Sequence, residues 1–383
     1  MTNFKTIITV FGLLFVTAVA AIGQGTPLVD VPINFRGPMP VLEVMINGKG
    51  PFLFTFDTGA GLQADFDPAL VAQLKLQTNG KVRGGDPSGR NAQEYDTVAV
   101  DSIALGNVEF RNVTAISRRR RMSLNAPKVD GILGFSLFKE YLFTLDFPGK
   151  RLRLEHSELP EANGLDILNF DDPRHVPVID LAVGRTRIKA DIDSGNMMGG
   201  FVLPESLVNK LSLMSKPVTV GRAQTVNNEI EIKQAKLSDP IKFGRFEFSQ
   251  PLITFPAIAE VANIGLVILQ DFVLSFDQKN KRVRLERPAP RKETVALADV
   301  PPALKDYTGR YGIRAISFEE GALHLQRLGG PKIKLVAAGK DEFTLELVPT
   351  ARVTFVRGEG GKVIEMRVLN RAGEWESSKK DQP

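Results

Sequence analysis

The chain is predicted to be all-β: two homologous β lobes in tandem, followed by a small antiparallel β domain. Three observations predict this. Short runs rich in β-branched and aromatic residues, set between Gly, Pro and Asn, recur along most of the chain. Helical candidates are few and short. Two long stretches repeat one another at a nearly constant offset. The 383 residues leave room for two or three domains at about 150 each. A hydrophobic content of 43% against 24% charged residues provides for a packed core and excludes global disorder. With 24 Phe and a single Trp, phenylalanine must fill most of the aromatic core.

The first 25 residues stand apart from the fold. Lys5 precedes a mostly apolar run from Ile7 to Ala21, and small residues follow, with cleavage sites at Ala18-Val19-Ala20 or Ala21-Ile22-Gly23. The run is shorter than the roughly 20 residues of a membrane span, so it reads as a cleaved export signal with no stable membrane insertion afterwards. The expected location is the periplasm or outside the cell. Cysteine is absent, which excludes disulfides, thiolate metal sites and cysteine nucleophiles. A net charge of +5 from 49 basic and 44 acidic residues is too thin to argue for nucleic acid.

In chain order, strands are predicted at Val41–Ile46, Phe52–Phe56, Thr97–Val100 and Tyr141–Asp146. Helices are predicted at Pro68–Leu74 and Pro204–Leu211, each opened by a proline whose missing N–H costs nothing there. The repeat emerges around these helices. Pro51-Phe-Leu-Phe-Thr-Phe leads into Asp57-Thr58-Gly59-Ala60, and Arg187-Ile-Lys-Ala-Asp-Ile leads into Asp193-Ser194-Gly195-Asn196. The two aspartates lie 136 residues apart. Downstream, Ile132-Leu133-Gly134 is matched by Asn263-Ile264-Gly265, and Lys150-Arg-Leu-Arg-Leu-Glu155 by Lys281-Arg-Val-Arg-Leu-Glu286, both at an offset of 131. The lobes are placed at 27–158 and 159–287.

Each lobe therefore ends a strand on one aspartate, next to a hydroxyl that braces the loop and a glycine expected to permit the turn. A pseudo-twofold axis turns two such loops into one site. Two carboxylates about 3 Å apart cannot both ionise and hold one proton between them, a pattern for which aspartic proteases are the standard example. They titrate as a unit.

On these residues the chain resembles the pepsin/retropepsin superfamily of aspartic proteases, and most nearly the bacterial retropepsin-like enzymes with two lobes in one chain. The resemblance covers about 27–287. It implies a closed β barrel per lobe with a cleft between them, and hydrolysis of peptide bonds by a water activated by Asp57 and Asp193. It further implies bracing by Thr58 and Ser194, turn glycines at Gly59 and Gly195, and no metal or organic cofactor. A flap is expected between Asp57 and Ile132, its tip in Arg83–Gly89, with Gly84, Gly85 and Gly89 as the mobile glycines. The partner is a peptide or protein substrate, and one chain supplies both halves of the site, so a monomer is expected. Asn196-Met197-Met198 and Asn263 depart from the family pattern, which leaves open a second lobe whose Asp is a buried, hydrogen-bonded turn residue and catalyses nothing. The alternative function is a catalytically degenerate peptide-binding or scaffold protein.

Other features carry less. Arg118-Arg119-Arg120-Arg121 reads as a solvated loop. His156, His175 and His324 have no metal-binding spacing, and Asp191-x-Asp193-x-Gly195 lacks the further ligands of a calcium loop. Gly358-Glu-Gly-Gly-Lys362 lacks the hydroxyl residue of a phosphate loop. Met197 and Met198 fit a subsite wall or a packing gap equally. A charged, proline-rich linker is placed at 288–300. The accessory domain at 301–376 opens with Leu304-x-x-Tyr307-x-Gly309-x-Tyr311, a pattern similar to small β domains appended to some bacterial serine hydrolases. Its strands are predicted at Ala322–Arg327, Lys332–Val336, Glu342–Val348, Arg352–Arg357 and Val363–Val368.

Overall fold

The computed structural model describes residues 27–381 except 37–38, 86–91, 120–128, 197–198, 215, 225–228, 257–258, 289–303, 313, 320–321, 328–331, 347 and 370–374. The export signal, the linker, Gly89, Met197, Met198, Arg120 and Arg121 fall outside the described residues. What is described is almost entirely strand, as the composition and punctuation predict.

The first lobe is built by period-two alternation. In the strand Lys49–Asp57, Phe54 and Phe56 turn inward and are essentially unexposed, leaving Thr55 and Asp57 on the opposite face. The strand runs parallel to Gly131–Gly134, which pairs antiparallel with Ala64–Phe66, which in turn runs parallel to Val108–Ser117. Gln93–Leu105 pairs with Val108–Ser117 and also reaches Met39–Ile46, closing the ring. Phe54 and Phe66 meet edge to face inside it, with centroids 5.3 Å apart. Asp67 caps the helix Pro68–Leu74 by accepting from the N–H of Ala69 at 2.9 Å.

The second lobe repeats this order. Thr186–Asp193 runs parallel to Ala262–Gly265, which pairs antiparallel with Phe201–Val202, which is parallel to Leu252–Thr254. One difference is instructive. The 13-residue strand that closes the first barrel is replaced by two shorter ones, Glu229–Lys236 and Ile241–Phe243, separated at Ser238-Asp239-Pro240. Proline has no N–H for a ladder, so the strand breaks there. The two segments are joined by the chain and not by strand pairing, so the second ring lacks the continuous strand that closes the first. The second helix is also shorter than predicted, Glu205–Val208, with Pro204 as its N-cap.

Between the lobes lies a six-stranded sheet to which both contribute. Leu142–Asp146 of the first lobe pairs antiparallel with Val273–Asp277 of the second. At its centre Thr144 faces Ser275, their hydroxyls 2.9 Å apart, and the two are separated by the repeat offset of 131. A residue paired with its own counterpart marks the pseudo-twofold axis. Phe143 and Phe276 stack beside it at 6.0 Å, both buried. The duplication reaches the backbone: Lys150 and Lys281 both take left-handed φ, 54° and 52°, at matching turns.

The C-terminal domain is an antiparallel succession of strands from Gly309–Tyr311 to Trp375–Lys379, each paired with the next. Gly309–Tyr311, Arg314–Glu319 and Trp375–Lys379 add to the strands predicted from alternation. Tyr307 and Tyr311 of its opening motif are fully buried against Phe343 and Phe355. Their hydroxyls are satisfied by Asp341 Oδ1 and the Tyr307 carbonyl, each at 2.8 Å. The motif is a core-forming device.

Candidate active site

Asp57 and Asp193 are the last residues of two equivalent strands, and the strands deliver them to the same axis that passes through Thr144 and Ser275. The loops that follow are locked together. The Thr58 hydroxyl donates to the Ile192 carbonyl at 2.7 Å and accepts from the Ser194 N–H at 2.9 Å. Reciprocally, the Thr58 N–H donates to Ser194 Oγ at 3.1 Å. Both side chains are buried, so each lost bond would leave an unsatisfied polar group. The bracing role expected of Thr58 and Ser194 is thus a bridge from lobe to lobe, in addition to any stiffening within one loop.

Gly59 and Gly195 behave differently from expectation. Neither has positive φ, so the turn itself does not demand glycine. Space does. A Cβ on Gly59 would lie closer than 3.0 Å to three carboxyl atoms of Asp193, and a Cβ on Gly195 equally close to those of Asp57. Each glycine donates its N–H to its own loop's aspartate, at 2.8 Å for Asp57 and 2.9 Å for Asp193, while making room for the opposite one. Gly134 and Gly265 work similarly. A Cβ there would strike the carbonyls of Ala60 and Asn196, to which Phe135 and Leu266 donate their N–H groups.

The carboxyls of Asp57 and Asp193 face one another, each lodged against the glycine of the opposite loop, near enough to share a proton. Burial, the charge of Asp193 and this shared bond push the Asp57 carboxyl well above the ordinary carboxylate range, against smaller opposing pulls from the Gly59 N–H and Arg118. The surroundings of the two acids are unequal. Asp193 Oδ1 accepts from the N–H groups of Gly195 and Asn196 at 2.9 and 3.0 Å, and Oδ2 accepts from Asn263 Nδ2 at 2.6 Å. Asn263 is held in turn by Asn196, whose Nδ2 donates to its Oδ1 at 2.7 Å. The two asparagines that depart from the family pattern support the Asp193 carboxylate, because together they supply donors that an apolar pair cannot. The corresponding residues of the first lobe are Ala60 and Ile132.

Residues 42–137 match the model of an aspartyl protease family. The family is one of the retropepsin/pepsin clan. The matched segment includes Asp57, Thr58, Gly59 and the Ile132-Leu133-Gly134 step; Asp193 lies beyond it and is tied to it by the internal repeat. No curated protein matches the chain.

Around Asp57 and Asp193, two ion pairs have no signature in the sequence. In-register neighbours share a sheet face, so Thr55, Ile132 and Asp65 lie on the Asp57 face, and Asp191, Asn263 and Val202 on the Asp193 face. Asp65, with no exposed surface, accepts from Arg118 through Nε at 2.8 Å and through Nη2. The guanidinium also lies 5.4 Å over the ring of Tyr95. Arg118 is therefore no part of a solvated run, because a buried carboxylate claims it; Arg119 alone of its described neighbours in that run is exposed. Arg174 donates through Nη2 to both oxygens of Asp191 at 2.7 Å. No spacing rule finds these pairs, since Asp65 and Arg118 are 53 residues apart and Asp191 and Arg174 are 17 apart.

The hairpin expected as a flap is formed by Thr78–Gly84 and Gln93–Leu105, with Val82 opposite Tyr95. Gly84 ends its first strand and Gly85 follows; a matching hairpin, Val218–Gln224 with Glu229–Lys236, stands in the second lobe. Among the described residues no group of His, Asp and Glu is placed to hold a metal ion.

Burial pushes Asp191 up to about 6, with Arg174 opposing and Asp193 reinforcing the rise. Its folded-state value lies above the ordinary 3.8, so this group's contribution to stability is full below about pH 4 and is lost as pH rises through 6. A tenfold change in proton affinity is worth about 1.4 kcal/mol, so the loss is on the order of 3 kcal/mol. Asp191→Asn is expected to reduce the slope of unfolding free energy between pH 4 and 6. Parallel wild-type and variant curves from denaturant melts would refute the assignment.

Proposed function

We propose that the chain is an exported aspartic endopeptidase in which Asp57 and Asp193 activate a water against a peptide bond laid across the cleft. The observation that carries this reading is the pair of carboxyls, each set against the opposite loop's glycine and held between cross-braced loops. The roles follow from the unequal donors. Asp193, whose carboxylate oxygens accept three hydrogen bonds, takes the proton from water. Asp57, disposed to keep its proton, donates to the carbonyl oxygen as it becomes tetrahedral. The protons then redistribute to the leaving amine, and the dyad returns to its singly protonated state. Water is the nucleophile, so the reaction calls for no metal or organic cofactor. The apolar run at residues 7–21 is read as a leader directing the chain to the periplasm or beyond, and one chain suffices for the site.

The test is hydrolysis of an unbiased peptide mixture by the full chain, with products identified by mass and the enzyme's own mass measured in solution. Cleavage at internal bonds by a monomer, inhibited by a statine-type transition-state mimic, is expected. Peptide binding with no hydrolysis at any pH between about 3 and 8 would replace the enzyme by a degenerate scaffold.

A further inference from the structure

We infer that Arg174 forms an anion-accepting subsite beside the dyad, so that the preferred substrates carry a Glu or Asp side chain at a fixed position near the scissile bond. This inference rests on the peptidase reading and adds a substrate class to it.

Three placements put Arg174 at the cleft. First, its partner Asp191 lies two residues before Asp193 on the same strand, hence on the same face and one pleat away, about 6–7 Å along the chain. Second, the turn that carries Arg174, closed by the His175 N–H donating to the Asp172 carbonyl, is pressed against the first lobe's catalytic loop. A Cβ on Gly61 would lie closer than 3.0 Å to the Arg174 carbonyl. Arg174 thus sits where the two lobes meet, its backbone against Gly61 of the first and its guanidinium on Asp191 of the second. Third, the guanidinium is accessible: 41% of the side chain is exposed, whereas Asp191 beneath it retains 9%.

The mode of pairing determines what remains to be offered. Arg174 meets Asp191 end-on, through Nη2 alone. Among the described residues nothing else takes Nε or Nη1; their N–H groups point to different edges of the guanidinium, so each can give a substrate carboxylate a single charge-assisted bond. The other carboxylates nearby are engaged elsewhere: Asp171 and Asp180 by Lys189, and Asp172 by Lys281. The other arginine on the catalytic face provides the contrast. Arg118 spends both Nε and Nη2 on Asp65 and is only 12% exposed, so it braces the first lobe and has little to offer a ligand. The buried Asp191 fixes the Arg174 fork in place, and a substrate carboxylate meets it without first ordering a free arginine.

The experiment uses a randomised octapeptide library in two formats: cleavage by the full chain, and capture on the immobilised full-chain Asp57→Asn variant. Both are expected to enrich Glu or Asp at one position. In the best single peptide, Glu→Gln should lower kcat/KM about tenfold, the worth of one charge-assisted contact. Arg174→Gln should collapse that Glu-to-Gln ratio toward one, Arg174→Lys should retain part of it, and Arg174→Glu should favour Lys in the peptide. A fall shared equally by both peptides, with the ratio preserved, would make Arg174 a purely structural residue and overturn the inference. Absence of acidic enrichment in both formats overturns it without any Arg174 variant having to fold. Acidic enrichment in capture with no cleavage would sink the peptidase reading and leave the subsite standing.

Discussion

Asp57→Asn is expected to abolish peptide turnover, lowering kcat by at least about 10³-fold, and to leave the chain folded and more resistant to denaturant at neutral pH than the wild type. The kinetic loss follows because asparagine cannot give up a proton to the carbonyl oxygen. Asp193→Asn removes the base and should cost as much, and the double variant little more than either, because the two acids act together. The stability gain has a separate origin. Asp57 is pushed well above the ordinary carboxylate range, so in the folded state it keeps a proton that the unfolded chain releases. Its contribution to stability is present below the unfolded value near 3.8 and is lost as pH rises toward the folded value. Asparagine, neutral in both states, escapes that loss. The difference between variant and wild type should therefore be larger at about pH 7 than at about pH 4. Turnover at the wild-type rate in either single variant would remove the dyad from the mechanism, whatever the melts show.

Much of this architecture was legible because duplication writes it twice. Asp-Thr-Gly and Asp-Ser-Gly at an offset of 136, with the glycine steps at 131, place the same strand ends at the same axis, and the helix Pro68–Leu74 is bounded as its proline and preceding aspartate require. Within the small domain, alternation located most strands, though it missed Arg314–Glu319, where Ile316 is buried and Phe318 remains exposed. What stayed hidden depends on pairings distant in sequence. Arg118 looked solvated because its sequence neighbours are arginines, whereas its spatial neighbour is a buried aspartate on another strand. Gly59 and Gly195 answer a steric demand made by the opposite lobe, which has no local signature. The Asn196–Asn263 pair did leave a trace. Comparison of the two halves shows an apolar pair, Ala60 and Ile132, replaced at both positions by asparagine, which is the mark of one contact and not of two lapses.

Asn263→Ile, which gives the second lobe the residue the first already uses, is expected to move the acid limb of the pH–rate profile upward by about 1–2 in pH. Below the displaced limb, kcat should fall by about 10- to 100-fold. Asn263 donates to Asp193 Oδ2 at 2.6 Å, the one side-chain amide on that carboxylate among the described residues, and a bond to a charged group is worth about 1.5–3 kcal/mol. Removing it disfavours the singly ionised dyad relative to the fully protonated one, and each 1.4 kcal/mol or so changes the proton affinity about tenfold. The base is then neutralised at a higher pH, while the alkaline limb, governed by the proton that Asp57 retains, moves less. Asn196→Ala should displace the same limb in the same direction by a smaller amount, because it frees Asn263 without deleting it. The two effects should be less than additive, since the first acts through the second. A fall in kcat that is uniform across pH, with both limbs where the wild type has them, would reduce Asn263 to a packing residue and withdraw the assignment of the charge to Asp193.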